Sequence, residues 1–148
     1  MKRREFIAAT AALLVLPRRS WAQVTRRRLG FLAINEVSSP NAWLDGLQNH
    51  GWIDGRNLII DYRYAQTPDR LPASAAELVA LGPDLLLAGN PQTALALKSA
   101  TANIPIVFVT VADPVGIRLV QSLSRPGGNI TGLATVVPDF ASKQIQIL

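Results

Sequence analysis

The chain contains no cysteine and a single histidine, and these two shortages remove several classes of function. Without thiols there is no disulfide framework, no thiolate metal site and no lipidated anchor. The histidine, His50, lies beside Gly51 at the end of a predicted helix, where an imidazolium favours the helix dipole. We therefore predict a structural role for His50, no metal site and no catalytic histidine.

The glycine-rich loops that bind nucleotides are also missing. A dinucleotide fingerprint places GxGxxG at the first strand-to-helix turn, but residues 35–40 read NEVSSP and contain no glycine. No Walker sequence is present either. These absences argue against a nicotinamide enzyme and against a nucleoside triphosphatase, and we predict no cofactor.

Charged residues make up only 17% of the 148 residues, and most of their net charge of +5 lies at the N-terminus. Positions 1–22 hold five basic residues and one acidic residue, and beyond the arginine triplet 26–28 the chain is slightly acidic. A nucleic-acid surface needs Lys and Arg clustered in the folded part of the chain. We therefore predict no nucleic-acid partner.

Residues 1–22 have the three parts of an export signal: a basic start, an apolar run over 6–16, and small residues at positions 20 and 22. The apolar run is shorter than the ~20 residues that span a bilayer. Residues 3–7, RREFI, resemble the twin-arginine export motif. We predict cleavage after Ala22 and a periplasmic domain over 23–148; the alternative is an ordinary amphipathic N-terminal helix.

Apolar runs alternate with helical periodicity along the rest of the chain, which is typical of α/β folds. Strands are predicted at 29–34, 57–64, 84–88, 104–109 and 130–133. Helices are predicted before Gly51, from Pro68 to Gly82, over 94–102, through Val115, Leu119 and Leu123, and from Pro138 onwards. The second strand alternates apolar with charged residues, as a strand near a sheet edge does. We predict a three-layer α/β fold whose mostly parallel sheet has the order 2-1-3-4-5, with helices on both faces.

Parallel sheets bind small ligands outside the carboxyl ends of their strands. Asn90, before Pro91, is a predicted helix cap, and the free amides of that helix start also suit a carboxylate; both roles stay open. Thr110 ends the fourth strand, where a hydroxyl can face the crevice. Asp113, before Pro114, is predicted to cap a helix, with direct ligand contact as the alternative.

Several of these segments together resemble a known family. Residues 104–108 (IPIVF), 113–115 (DPV), 125–132 (RPGGNITG) and 51–63 (GWIDGRNLIIDYR) look like the substrate-binding proteins of bacterial ABC transporters with a type I periplasmic-binding fold. The resemblance implies two α/β lobes that close on a small molecule, with amino acids among the ligands and a membrane permease as partner. It implies that cleft-lining loops contain Asn35, Glu36, Asn90, Gln92, Thr93, Thr110 and Asp113.

Proteins of this family have about twice the length of this chain, in line with two domains of ordinary size. We therefore expect the leader and the N-terminal lobe only, from a fragment or a truncated gene. The leading hypothesis is a solute-binding component of an importer that does no chemistry. The alternatives are an exported enzyme with a flavodoxin-like or Rossmann-like fold, and a non-functional truncated product.

Overall fold

A computed structural model of the chain describes residues 26–36 and 41–135. The strands are β1 (Arg27–Ala33), β2 (Leu58–Tyr64), β3 (Leu85–Ala88), β4 (Ile106–Val111) and β5 (Ile130–Ala134). The helices are α1 (Asn41–Asn49), α2 (Leu71–Ala80) and α3 (Pro91–Ala100), and a 3₁₀ turn, Pro68–Arg70, leads into α2. The five predicted strands and the first three predicted helices are confirmed. The predicted leader, its cleavage site and the helix from Pro138 lie outside the described residues.

All five strands run parallel in one sheet of order β2-β1-β3-β4-β5. This confirms the predicted order. β1 is buried on both faces from Leu29 to Ala33, which explains its continuous apolar run. In β3, Leu86 and Ala88 are buried, whereas Leu85 and Leu87 on the other face are half-buried. The parallel direction also brings the carboxyl ends of all five strands to one edge, called the carboxyl edge below.

The helices lie on both faces of the sheet, as neighbouring residues of β1 show. A Cβ added at Gly30 would meet the side chains of Leu78 in α2 and Leu86 in β3, so Gly30 faces α2. The next residue, Phe31, stacks on Trp43 of α1 with ring centroids 5.6 Å apart. Since successive strand residues point to opposite faces, α1 covers one face and α2 covers the other.

The main core lies between the sheet and the helices α2 and α3, which cover one of its faces. Its fully buried members include Leu78, Leu97, Leu86 and Ile106, which come from both helices and from two central strands. Each fully buried Leu or Ile side chain contributes roughly 1.5–3 kcal/mol relative to an exposed one. This core fixes the central strands, and with them the loops that leave the carboxyl edge.

Two aspartates bind the arginines at the start of β1, near the opposite edge of the sheet, where the strands begin. Asp84 accepts hydrogen bonds from the backbone N–H of Arg28 (2.8 Å) and the guanidinium of Arg27 (2.9 Å). The Arg28 guanidinium in turn donates to Asp61 (2.7 Å) and to the carbonyl of Leu81 (3.2 Å). These contacts join β1 to β2 and to the loop before β3, so the arginines after the leader have a structural role.

The helix predicted through Val115, Leu119 and Leu123 is wrong. Residues 114–120 form a single turn, in which the N–H of Leu119 donates to Pro114 (2.8 Å) and that of Arg118 to Val115 (2.9 Å). This bonding pair is the Schellman motif that ends helices, with Arg118 in the left-handed region at φ 58°. Leu119 is buried, but Val115 and Leu123 are 41% and 61% exposed.

Local propensity and a tertiary contact both explain why no helix continues here. Gly116 and the β-branched residues Val115 and Ile117 occupy the first turn, and all three types have lower helix propensity than Ala or Leu. The ammonium of Lys98 in α3 donates to the carbonyls of Arg118 (2.6 Å) and Leu119 (3.0 Å). A continuing helix would need those carbonyls for its own bonds.

Candidate functional site

At the carboxyl edge, the start of α3 is built by a reciprocal capping box. Asn90 Oδ1 accepts from the N–H of Thr93 (2.9 Å), while Thr93 Oγ1 accepts from the N–H of Asn90 (3.1 Å) and donates to its carbonyl (2.9 Å). The predicted cap at Asn90 is therefore confirmed. Thr93 is fully buried and its hydroxyl is engaged in this box.

The capping box leaves donors pointing out of the helix start. Pro91 has no N–H, the N–H of Thr93 is used by the cap, and the N–H of Ala94 donates to the Asn90 carbonyl. The N–H of Gln92 remains for an outside acceptor. Because the cap uses the Asn90 oxygen, the two donors of its amide nitrogen are also left for other partners. The exposed side chain of Gln92 lies at the same place.

Asn35 and Glu36 lie in the loop that follows β1 and are both exposed at the carboxyl edge. Glu36 lies near Tyr64, the last residue of β2. Burial raises the pKa of the Tyr64 phenol, and the negative charge of Glu36 raises it further. Because β1 lies between β2 and β3, the loop carrying Glu36 emerges beside Tyr64 on one side and beside the α3 start on the other.

Thr110 and Asp113 lie at the end of β4. Thr110 is exposed and has φ 60°, which is an unusual conformation for a β-branched residue. The pairing of β4 with β5 shifts register between Phe108 and Val111, so Thr110 occupies an irregular position in the strand. Asp113 Oδ1 accepts from the N–H of Gly116 (2.8 Å). Asp113 therefore caps the single turn after β4. The predicted capping contact is present, but the element that it begins is one turn and not a helix.

The structure thus brings the loops after β1, β3 and β4 to one edge, with the predicted residues Asn35, Glu36, Asn90, Gln92, Thr110 and Asp113 at its surface and Thr93 buried beneath. Tyr64 and Gln66, at the end of β2, also lie there, and we did not predict them as site residues. The sequence did carry the signal for Tyr64. Tyr64 is the last of the residues that share one face of β2. In a parallel sheet that end of the strand lies at the carboxyl edge.

Two cavities lie away from these residues. One of about 350 Å³ lies between α3 and the turn before β5, with Lys98, Arg118 and Asn129 in its lining. An apolar groove of about 310 Å³ lies at the opposite edge of the sheet, lined by Trp52, Leu85 and others. Neither is lined by any predicted site residue.

In the described ranges no cluster of three or more His, Cys, Asp or Glu side chains is placed to hold a metal ion. The helices of those ranges also include none with the length and apolarity needed to cross a membrane.

Open parallel α/β sheets commonly bind ligands in the crevice outside the carboxyl ends of their strands, and the polar loops of this lobe lie at that edge. The family model for ABC transporter substrate binding proteins matches residues 39–148. The chain belongs to this family. The fold class and the resemblance predicted from the sequence are both confirmed.

Relatives of known structure or description agree with this assignment. A tyrosine-binding protein of Clostridioides difficile is 38% identical over 95 residues, which are 64% of this chain and 28% of that protein. A crystal structure of a conserved domain protein from Vibrio cholerae has a TM-score of 0.73 at 36% identity, covering 83% of this chain and 42% of its own. An ABC domain from Streptococcus pneumoniae in complex with L-Trp has a TM-score of 0.65 at 32% identity, covering 74% of this chain and 38% of its own.

The chain therefore spans less than half the length of the relatives it matches.

Proposed function

We propose that this chain forms one lobe of a solute-binding protein that captures an amino acid at the carboxyl edge and delivers it to the permease of an ABC importer. The observation that carries this proposal is the pairing of β1 with β3, because the loop after β1 contains Glu36 and the loop after β3 leads into the donor-rich start of α3. A free amino acid has one positive and one negative group close together. Adjacent loops of this edge offer a carboxylate acceptor for the positive group and N–H donors for the negative group.

The chemistry of each group suits this assignment. The Glu36 carboxylate is exposed and suits the α-ammonium of the ligand. The N–H of Gln92 and the amide of Asn90 suit the α-carboxylate, which is also favoured by the positive end of the α3 dipole. Asn35, Thr110 and Asp113 surround the same edge and complete the proposed contacts. One relative is named a tyrosine-binding protein, and the structure of another contains L-Trp, which supports an amino acid as the ligand class.

The proposed activity is binding without a chemical step. None of the seven predicted residues is hydrogen-bonded to a side chain from a different loop in the described part of the chain. A nucleophile held by a general base would show such a bond. The opposite wall of the cleft is proposed to come from a second lobe, within the length of the relatives that this chain does not span.

Binding of the charged pair is tested by thermal shift on the 148-residue chain. We expect L-tryptophan to raise Tm, and expect tryptamine, which lacks the carboxylate, and N-acetyl-L-tryptophan, which lacks the ammonium, to give no rise. Glu36→Gln should lower the rise, whereas Glu77→Gln on the exposed surface of α2 should not. Equal shifts with all three compounds, or no shift with any amino acid, would contradict the proposal.

The proposed export depends on the leader. We propose that residues 1–22 direct the chain through the twin-arginine route and are removed, which leaves residues 23–148 in the periplasm. Osmotic-shock fractionation of the wild-type chain should yield a periplasmic protein whose N-terminal sequence begins at Gln23. The double variant Arg3→Lys, Arg4→Lys should keep the full-length chain in the cytoplasm. A periplasmic protein from this variant would show that the twin-arginine route is not used.

A further inference from the structure

The cavity between α3 and the loop that leads into β5 has a volume of about 350 Å³. Its lining includes Val115 and Leu119, which belong to the segment that forms a single turn instead of the predicted helix. The volume is within the roughly 300–1,000 Å³ that is usual for small-molecule sites. Since none of the predicted site residues lines it, the cavity is separate from the candidate site at the carboxyl edge.

The charged residues that line this cavity are all basic. Lys98 of α3 and Arg118 of the single turn line it, and no Asp or Glu does. Neither cation forms an ion pair with a carboxylate in the described part of the chain. An anion in the cavity would therefore meet positive charge that no carboxylate in the lining offsets.

The ammonium of Lys98 is held in place beside the turn. It donates to the carbonyls of Arg118 (2.6 Å) and Leu119 (3.0 Å). An ammonium group has three N–H donors, so one remains for a ligand. Because the two carbonyls already hold the side chain, less conformational entropy is lost when a ligand binds to it.

Further donors come from the loop before β5. Within the described residues, no hydrogen bond is donated by the N–H groups of Gly127 and Gly128 or by the side-chain amide of Gln121. The ring of Pro126 fixes a negative φ, whereas Gly127 has φ 78°. Successive N–H groups in a turn of alternating handedness can form a concave anion site. The Gln121 amide lies against Gly127, because a Cβ added to this glycine would collide with it.

We infer that this cavity binds a phosphate group, either as inorganic phosphate or at the end of a small phosphorylated molecule. Its donors come from three elements: α3, the turn over 114–120 and the loop before β5. Phosphate oxygens point in several directions and suit donors on several sides, whereas the two oxygens of a carboxylate lie in one plane. The guanidinium of Arg118 is exposed and suits a phosphate through two parallel hydrogen bonds, and the Lys98 ammonium suits it as a point charge. The inference is independent of the proposed amino-acid function.

The test uses isothermal titration calorimetry of the 148-residue chain in a chloride buffer, with inorganic phosphate, glycerol 3-phosphate and acetate as probes. We expect both phosphates to bind about tenfold more tightly than acetate. Arg118→Gln should weaken the binding of both phosphates about tenfold, because a charge-assisted contact is lost. Arg70→Gln makes the same change in net charge at an exposed position of the 3₁₀ turn and should leave binding within about twofold.

A second measurement locates the bound phosphate without any substitution. In two-dimensional ¹H–¹⁵N NMR spectra, inorganic phosphate should shift the amide signals of Gly127 and Gly128. The signal of Gly55, whose N–H donates to the carbonyl of Leu58 in a different loop, should not move.

The two phosphates distinguish the source of the ligand. Tighter binding of glycerol 3-phosphate supports a phosphorylated small molecule, and tighter binding of inorganic phosphate supports the free ion. Equal weakening by Arg118→Gln and Arg70→Gln, or signal shifts spread over the whole surface, would show attraction by net charge alone and would overturn the site. Acetate binding as tight as phosphate binding, or no binding of either phosphate, would overturn it as well.

Discussion

Single residues at the carboxyl edge serve the fold and the proposed ligand at the same time, and Asn90 is the clearest case. Its oxygen caps α3 by accepting from Thr93, while its amide nitrogen is the group proposed to meet a carboxylate. A sequence pattern of Asn before Pro predicts the first role but cannot separate it from the second. The two roles use different atoms of one side chain, so substitutions can separate them.

Replacing Asn90 by Ala removes the cap and should lower the free energy of unfolding by about 0.5–2 kcal/mol. Asn90→Asp keeps an oxygen acceptor at the helix start and should retain most of the stability. Urea unfolding followed by circular dichroism measures both. The Asp variant should nevertheless bind amino acids more weakly, because it has no N–H donor and adds a negative charge. If Asp destabilises as much as Ala, the Asn90 oxygen is not the cap.

Asp84 at the opposite edge makes stability depend on acid. The backbone N–H of Arg28, followed by the Arg27 guanidinium, holds the pKa of Asp84 below its usual range. Its contribution is therefore present above the unfolded pKa of about 3.9 and is lost as pH falls through the lower folded pKa. Asp84→Asn should make the free energy of unfolding fall less steeply below pH ~4. Asp45→Asn, on the exposed side of α1, is the control, and an identical slope in both variants would contradict this assignment.

Whole elements were predictable where burial and caps act together. The apolar runs of β1, β3 and β4 indicated strands of a parallel sheet, and Gly51 ends α1 in the left-handed region at φ 83°, as expected of a helix-terminating glycine. The segment after β4 was not predictable from its spacing. Three apolar residues at helical intervals suggested a helix, but the contact that competes with it comes from Lys98, in another helix.

The alignment of Tyr64 with its neighbours on adjacent strands was also not predictable from the sequence, for a different reason. The sequence shows that Tyr64, Ala33 and Gly89 each lie near the end of a strand, but it does not show how far neighbouring strands are offset. A shift of one residue would move these side chains to opposite faces. Only the register places the ring, the methyl group and the glycine in one row.

The space around two glycines predicts opposite effects of alanine substitution on the free energy of unfolding. An added Cβ at Gly30 would lie 2.8 Å from Cδ2 of the fully buried Leu86 and 3.3 Å from Cδ2 of Leu78. Gly30→Ala should therefore lower the free energy of unfolding by about 1–3 kcal/mol. Gly46, in α1, has no atom within 4 Å of such a Cβ. Gly46→Ala should raise stability by about 0.5–1 kcal/mol.

Urea unfolding of the two alanine variants checks these signs. The same change in composition is made in both, so the effect of the added methyl group on the unfolded chain is similar in the two variants. A neutral or stabilising Gly30→Ala would mean that Leu86 and Leu78 can move aside, and the close packing of β1 against α2 would be contradicted.

At the scale of the molecule, the sheet is unequally supported from one side to the other. Among the described strands, β1, β3 and β4 are paired on both sides, whereas β2 and β5 are outermost. Their surroundings differ. β2 is held by the Arg28 ion pair with Asp61 and by the edge-to-face contact of Tyr62 with Phe31. β5 exposes Thr131, Gly132 and Leu133, with Leu133 at 72% exposure. Local opening should therefore be easiest at β5.

Amide hydrogen exchange of the 148-residue chain, read strand by strand, measures this order. We expect the slowest exchange in β1 and β3, intermediate rates in β2 and the fastest in β5, because opening β5 breaks one ladder and exposes little additional apolar surface. A saturating amino acid should slow exchange most in the residues that follow β1 and β3, where the proposed ligand is held, and least in the loop containing Trp52 at the opposite edge. Protection of β5 equal to that of β3 would contradict the proposed order, and uniform slowing on ligand addition would contradict a site at the carboxyl edge.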